Sequence, residues 1–434
     1  MDVHARSMEL ESVGFGSCAP TTHDQVWIHK WECQVVVEST TSNSTPSNLV
    51  AASSLLKFGA ISFVEKAPAF QPFPRRSPVT KRLASSSIDH EQIRTAYNAK
   101  RTDGIQKLTG FQNTMSPRSL WEETVKATDG NAGKASSILN AWLSMCSDPT
   151  YANELFHLAT KTDGNFSVAP DEVMLCLLAT LMDENDDPRC DGLLKSAEKL
   201  SNKDAKGWRK LQAAARRRKR FSTLSEAQSQ VQKSLGTAHF HVVYESDELV
   251  VVNKPAGVSV TPEKQKNRMD LPQAIHMASR SVSTINRGVV HRLDRGTSGC
   301  WVVPKSNRSH ARLLKEFFTR RIRKTYQCLV QPSLNTPVKG VLEELVDGKP
   351  AYSSYQILRQ LQCGTLLQVE TKTGRKHQVR VHCSRGLGSP IIGDTLYGGA
   401  PNDNLFLHAY AMEFLDSNIR VEAPLPLHWD SMLA

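Results

Sequence analysis

Val289-Val290-His291-Arg292-Leu293-Asp294-Arg295-Gly296-Thr297-Ser298-Gly299 is the densest polar run of the chain, and the apolar segment Cys300-Trp301-Val302-Val303 follows it directly. One carboxylate stands between two arginines, with glycines at 296 and 299. Adjacent cations favour the charged form of a carboxylate, the form that a nucleophile or base needs. Glycine lets a backbone turn tightly and approach a ligand closely. A polar loop feeding a β-rich run reads as a functional loop set on a sheet; the plainer alternative is a structural turn closed by a salt bridge. Two familiar sites fail on spacing. A protein-kinase catalytic loop needs Asp directly after His-Arg and an Asn five residues on, whereas Leu293 intervenes here and position 299 is Gly. Gly386-Leu387-Gly388 runs into Ser389-Pro390-Ile391 and does not complete a dinucleotide fingerprint.

Working outward, His241–Tyr244 and Leu249–Val252 are short Val-rich runs separated by four polar residues, which predicts a hairpin. Further β-type runs are Gly299–Val303, Tyr326–Val330, Tyr352–Leu358, Thr365–Thr371 and Gln378–His382. One helix intervenes over Ser309–Arg320, with Leu313, Leu314, Phe317 and Phe318 on its apolar face. Many strands, few helices and no βαβ alternation predict an α+β domain over 236–434, large enough for its own core. Upstream, apolar residues recur at helical spacing in Ile138, Leu139, Trp142 and Leu143, and again in Val173, Met174, Leu177, Leu178 and Leu181. Residues 91–235 therefore read as a helical domain. It ends in a basic segment comprising Lys203, Lys206, Arg209, Lys210 and Arg216-Arg217-Arg218-Lys219-Arg220.

Residues 1–90 are rich in Ser, Thr and Pro and read as a disordered or targeting extension. Arg75, Arg76, Lys81 and Arg82 suit a mitochondrial or chloroplast presequence. Asp2, Glu9 and Glu11 do not, which leaves cytoplasm and nucleus open. The 434 residues carry 54 Lys plus Arg against 43 Asp plus Glu, a net charge of +11 that favours polyanionic partners, nucleic acid first. Nine scattered cysteines form no CxxC pair, and no run approaches the ~18–20 apolar residues of a membrane span. A monomer is the default expectation.

The loop resembles the signature of RNA pseudouridine synthases of the RluA type, which carry His-Arg-Leu-Asp-x-x-Thr-Ser-Gly. Four further blocks follow the family order: Asn253-Lys254-Pro255-Ala256-Gly257, Arg323-Lys324-Thr325-Tyr326-Gln327-Cys328-Leu329-Val330, Gly374-Arg375-Lys376-His377-Gln378-Val379-Arg380-Val381-His382, and the tail Gly388–Gly398 with Leu407-His408-Ala409. The likeness covers about 238–432 and nothing upstream of it. It implies a mixed, largely antiparallel central sheet with flanking helices, preceded here by the helical region. It also implies conversion of uridine to pseudouridine within RNA, with no cofactor and no metal.

The resemblance carries specific roles. Asp294 becomes the nucleophile, by attack on the sugar, by addition to the uracil ring, or by removing the sugar 2′ proton. Arg380 pairs with Asp294 through a bidentate guanidinium. Tyr326 packs on the base and supplies an acid or base. Arg292 fills the space that an extruded uridine vacates. Lys254, Arg375, Lys376 and Arg323 are expected on RNA, with Arg320, Arg321 and Arg385 extending a basic lining; for Lys254 a purely architectural Lys-Pro turn is the equal alternative. Ribosomal, transfer and messenger RNA all stay open as the partner. The competing reading is a catalytically silent RNA-binding or assembly protein on the same fold.

Overall fold

Val-rich segments dominate the second half of the chain, and branched side chains pack well on a pleated surface. In the computed structural model, which describes residues 87–434 apart from 162–165, 203–209, 211–212, 237–239, 262–268 and 333–336, these segments form one nine-stranded sheet. The strands are β1 His241–Glu245, β2 Leu249–Lys254, β3 Ser298–Pro304, β4 Ile322–Val330, β5 Lys339–Leu342, β6 Ser353–Leu361, β7 Gly364–Thr371, β8 Leu407–Phe414 and β9 Ile419–Glu422. Their order is β1-β2-β3-β8-β4-β7-β6-β5, with β9 on the flank of β8. The β3–β8 pair is parallel and every other pair is antiparallel, which makes the sheet mixed and largely antiparallel, as expected. The expected hairpin is β1–β2.

Strand alternation places successive side chains on opposite faces. Val250, Val252, Trp301 and Val303 enter one core cluster, and Leu249, Val251, Cys300 and Val302 enter another on the opposite face. The middle of the sheet is thus covered on both sides, which explains why β2 and β3 read as unbroken apolar runs.

The expected helices form over Ala132–Met145, Glu172–Glu184 and their neighbours between residues 90 and 201. Their shared core includes Trp142, Leu139, Met174 and Leu178, and it also takes in Ile285 and Ala311 from beyond residue 236. Helix Leu224–Leu235 lies in the stretch read as N-terminal, yet Leu224, Ala227 and Val231 pack with Val250, Val252 and Trp301. Helix Asn307–Phe318 matches the one expected over Ser309–Arg320 within two residues at each end. The presequence-like region lies outside the described residues but for 87–90, as do Lys203, Lys206 and Arg209. Among the described residues, no helix is long and apolar enough to cross a membrane.

One expected strand is a helical turn. Gln378–Val381 is α-helical, entered through His377 at φ 59°. Its sequence alternates Gln-Val-Arg-Val, but burial does not: Gln378, Val379, Val381 and His382 are all buried. Gln378 explains why. Its amide donates to the Tyr352 carbonyl and the Ser353 hydroxyl, and its oxygen accepts from Thr373 Oγ1 and the Arg375 N–H. A polar side chain satisfied this fully is an interior anchor, not the outward face of a strand.

Candidate active site

The loop ahead of β3 is held from three sides. Burial pushes the His291 imidazole down to about 3. Kept neutral, its Nε2 accepts the Val302 N–H at 3.0 Å, while its carbonyl accepts the Trp301 indole N–H at 3.0 Å. The two glycines make room for the chain itself and not for a ligand, contrary to the sequence reading. Gly299 sits at φ +108°, and a Cβ there would lie 2.3 Å from the Ala409 carbonyl oxygen, so the parallel approach of β3 to β8 requires glycine. A Cβ at Gly296 would press on the Leu405 side chain.

Lys254 is the third support, and of its two readings the architectural one fits its surroundings. Its side chain is fully buried, and Nζ donates to the carbonyls of Pro255, Val258 and Arg295 at 2.9, 2.7 and 3.2 Å. Burial lowers this amine to about 7, against the pull of Asp294. An amine held by three backbone carbonyls inside the protein cannot reach a phosphate; it ties the loop after β2 to the residue following Asp294.

Asp294, Tyr326 and Arg380 converge on one cleft of about 760 Å³, together with Arg292, Lys324, Arg375, Lys376 and His377. Tyr326 sits where the β4–β8 register slips between Thr325 and Gln327, a bulge of the kind that re-aims a side chain. Burial, reinforced by Asp294 and Cys300, pushes its hydroxyl far above the ordinary phenol range. Arg380 does not grip Asp294 as expected. Its Nε and Nη2 each donate to Asp394 at 2.7 Å, and its Nη1 stands 3.7 Å from Asp294 Oδ2. The bidentate partner is therefore Asp394, itself 1% exposed. Burial of the guanidinium works against its charge, and the Asp394 carboxylate outweighs that and raises its pKa. Arg380 also lies over the Tyr397 ring, 5.0 Å from its centre.

Sequence reasoning assigned no role to His377, Asp394, Tyr397 or Lys324. His377 Nε2 is 3.7 Å from Asp294 Oδ1, and its Nδ1 bonds the Tyr397 hydroxyl at 2.9 Å. Burial lowers this imidazole, with Asp294 pulling the other way. For Lys324 a signal was available. Side chains two apart on a strand share a face, so Tyr326 in the cleft places Lys324 there and Arg323 on the opposite face. Arg323 pairs with Glu413 at 3.3 Å and does not line the cleft. Burial and the neighbouring Arg320 lower Lys324 to about 8.

The remaining cations divide sharply. Arg292 and Lys376 are exposed at the cleft, and Arg292 meets no carboxylate among the described residues. Arg375 lines the cleft with its Nε on the Pro350 carbonyl. Arg320 is bound to Asp103 and Arg321 to Asp416, so both are already neutralised within the protein. The cleft has a further wall that lies upstream of residue 235: Thr102, Asp171, Glu172 and Val173.

Residues 248–385 match the family model described as RNA pseudouridylate synthase. The chain is 33% identical over 219 residues to "Ribosomal large subunit pseudouridine synthase D" of Xanthomonas campestris, covering 43% of this chain and 66% of that protein. It is 34% identical over 171 residues to the protein of the same description from Pseudomonas aeruginosa, covering 36% and 53%. It is 31% identical over 207 residues to an uncharacterized RNA pseudouridine synthase of Zymomonas mobilis, covering 43% of this chain and 93% of the relative. The chain thus spans between about half and two thirds of the first two relatives. The solved structure of human RNA pseudouridylate synthase domain containing 4 aligns with 49% of this chain at 22% identity and a TM-score of 0.38.

Proposed function

The chain belongs to the RNA pseudouridine synthase family, RluA type, and we propose that it isomerises uridine to pseudouridine within RNA. The observation that carries this reading is the convergence of Asp294, Tyr326 and Arg380 in a single cleft, at which Arg292 and Lys376 are exposed and pair with no carboxylate among the described residues. The reaction breaks the bond from N1 to the sugar C1′ and makes one from C5 to C1′. The proton leaves C5, N1 gains one, and no electrons are exchanged with an outside group.

Asp294 supplies the carboxylate that initiates cleavage, as in retaining glycosidases. Arg380 directs it. With two of its donors locked on Asp394, the guanidinium cannot swing, and its remaining nitrogen faces Asp294. Tyr326 is held as the neutral phenol by burial, which favours stacking on the uracil and hydrogen-bond donation over action as a phenolate base. Arg292, exposed at the cleft, stacks or pairs where the extruded nucleotide left its helix; its exposure supports this role. Lys324, Arg375 and Lys376 supply phosphate contacts that carry affinity and salt sensitivity. The test is nucleoside analysis of RNA incubated with the full chain. Uridine should be replaced by pseudouridine at defined positions with wild type and not with Asp294→Asn; binding without conversion by wild type would favour the silent RNA-binding reading.

A further inference from the structure

The helical region upstream of residue 202 is a fixed part of the catalytic cleft and not a tethered appendage. Its core encloses Ile285 and Ala311. Asp103 pairs with Arg320 at 3.0 Å, Glu184 with Lys315 at 2.7 Å, and Asp191 with Arg308 at 2.7 Å; Asp183 also pairs with Arg308. The Ser201 hydroxyl accepts the Asn286 N–H, and the Asn202 amide donates to the Thr284 carbonyl, each at 3.0 Å. Those two contacts hold the strained segment before the catalytic loop, where Asn286 and Arg287 both have positive φ. The docked layer contributes Thr102, Asp171, Glu172 and Val173 to the same cleft as Asp294.

The two walls differ in chemistry. Arg292, Lys324, Arg375 and Lys376 attract phosphates, so the backbone of an RNA strand runs along them. Carboxylates repel phosphates, so what faces the helical wall is a base edge. Asp171 is committed, its oxygens accepting from the Met174 N–H, Ser136 and Asn140. Glu172 is half-buried; its Oε1 lies 3.4 Å from the Nε2 of the buried His310 imidazole. A carboxylate only accepts, so it selects a base that presents an amino group: cytosine, adenine or guanine. Uracil's single N–H is flanked by carbonyl oxygens that repel it.

We propose that the helical layer is the specificity-determining wall of the cleft, with Glu172 reading an amino-bearing base beside the target uridine. This rests on the RNA-modifying reading of the cleft, and it assigns a role to residues that lie outside the matched 248–385. The test uses the full chain and short single-stranded RNAs with one central uridine, flanked by cytosine, adenine, guanine or uridine, with affinity as the readout. Wild type should bind an amino-flanked RNA about tenfold tighter than the all-uridine one. Both Glu172→Gln and Glu172→Ala should reduce that ratio to within about twofold. Equal wild-type affinities, or a ratio unchanged in both variants, would overturn the proposal. Affinity needs no turnover, so a protein that shows the base preference but makes no pseudouridine would refute the isomerase reading alone.

Discussion

Arg380 is shared between two carboxylates, and the sharing is unequal. Asp394 takes both strong bonds, which makes it the residue that aims Arg380 at Asp294. Asp394→Asn should lower single-turnover conversion about ten- to a hundredfold, the worth of a charge-assisted pair, and leave RNA affinity within about twofold. Unchanged conversion would show that Arg380 needs no such brace. Lys254 shows how residue type can be legible when depth is not. A lysine ahead of a proline in a basic protein reads equally as a phosphate contact or an architectural turn, and only the fold supplies the three inward carbonyls that decide it. Lys254→Met should cost about 1–3 kcal/mol in denaturant unfolding, because those carbonyls lose their donor. The salt dependence of RNA binding should not change. Lys324 behaves in the opposite way. Lowered to about 8, it is a cation below that pH and neutral above it, so RNA affinity should fall as pH rises through 8. Lys324→Arg, which stays charged, should flatten that part of the pH profile measured by titration binding.

At the scale of elements, β4 does most of the sorting. Its period of two sends Lys324 and Tyr326 into the cleft and Arg323 to Glu413 on the other face. Lys324→Ala should reduce the slope of log affinity against log salt by about 0.7–0.9, one phosphate contact, and Arg323→Ala should leave it unchanged. Strands β5, β8 and β9 were not read from the sequence, whereas β1–β4, β6 and β7 were legible, because Val-rich runs bounded by polar turns have few other ways to bury their surface. Gln378–His382 was not. Over five residues an alternating pattern and a single helical turn cannot be told apart by periodicity, and the hydrogen bonds that decide the matter come from Tyr352, Ser353 and Thr373, distant in sequence. Asp394 was hidden in another way: it stands in the tail Gly388–Gly398, but residue type alone does not say that its carboxylate turns back on Arg380.

For the whole molecule, the boundary drawn at 235 cuts through packing. Helix Leu224–Leu235 buries Leu224, Ala227 and Val231 completely against the sheet. A fragment beginning at 236 should lose about 3 kcal/mol or more of stability, at roughly 1.5–3 kcal/mol for each of Leu224 and Val231, and should aggregate during purification. Removal of the layer before 202 additionally uncovers Ile285 and Ala311. The helical region thus both packs on the fold and lines the cleft, whereas the reading by apolar periodicity had separated the two parts as domains. The central claim is that this cleft isomerises uridine through Asp294. Its most direct test is tritium release from RNA labelled at uridine C5, because forming the C5 bond to the sugar must expel that hydrogen. The full-length protein should release tritium to solvent from total cellular RNA, and Asp294→Asn should release none while still binding that RNA. Equal release by both would contradict the assignment of Asp294, and binding by wild type with no release would contradict the reaction itself.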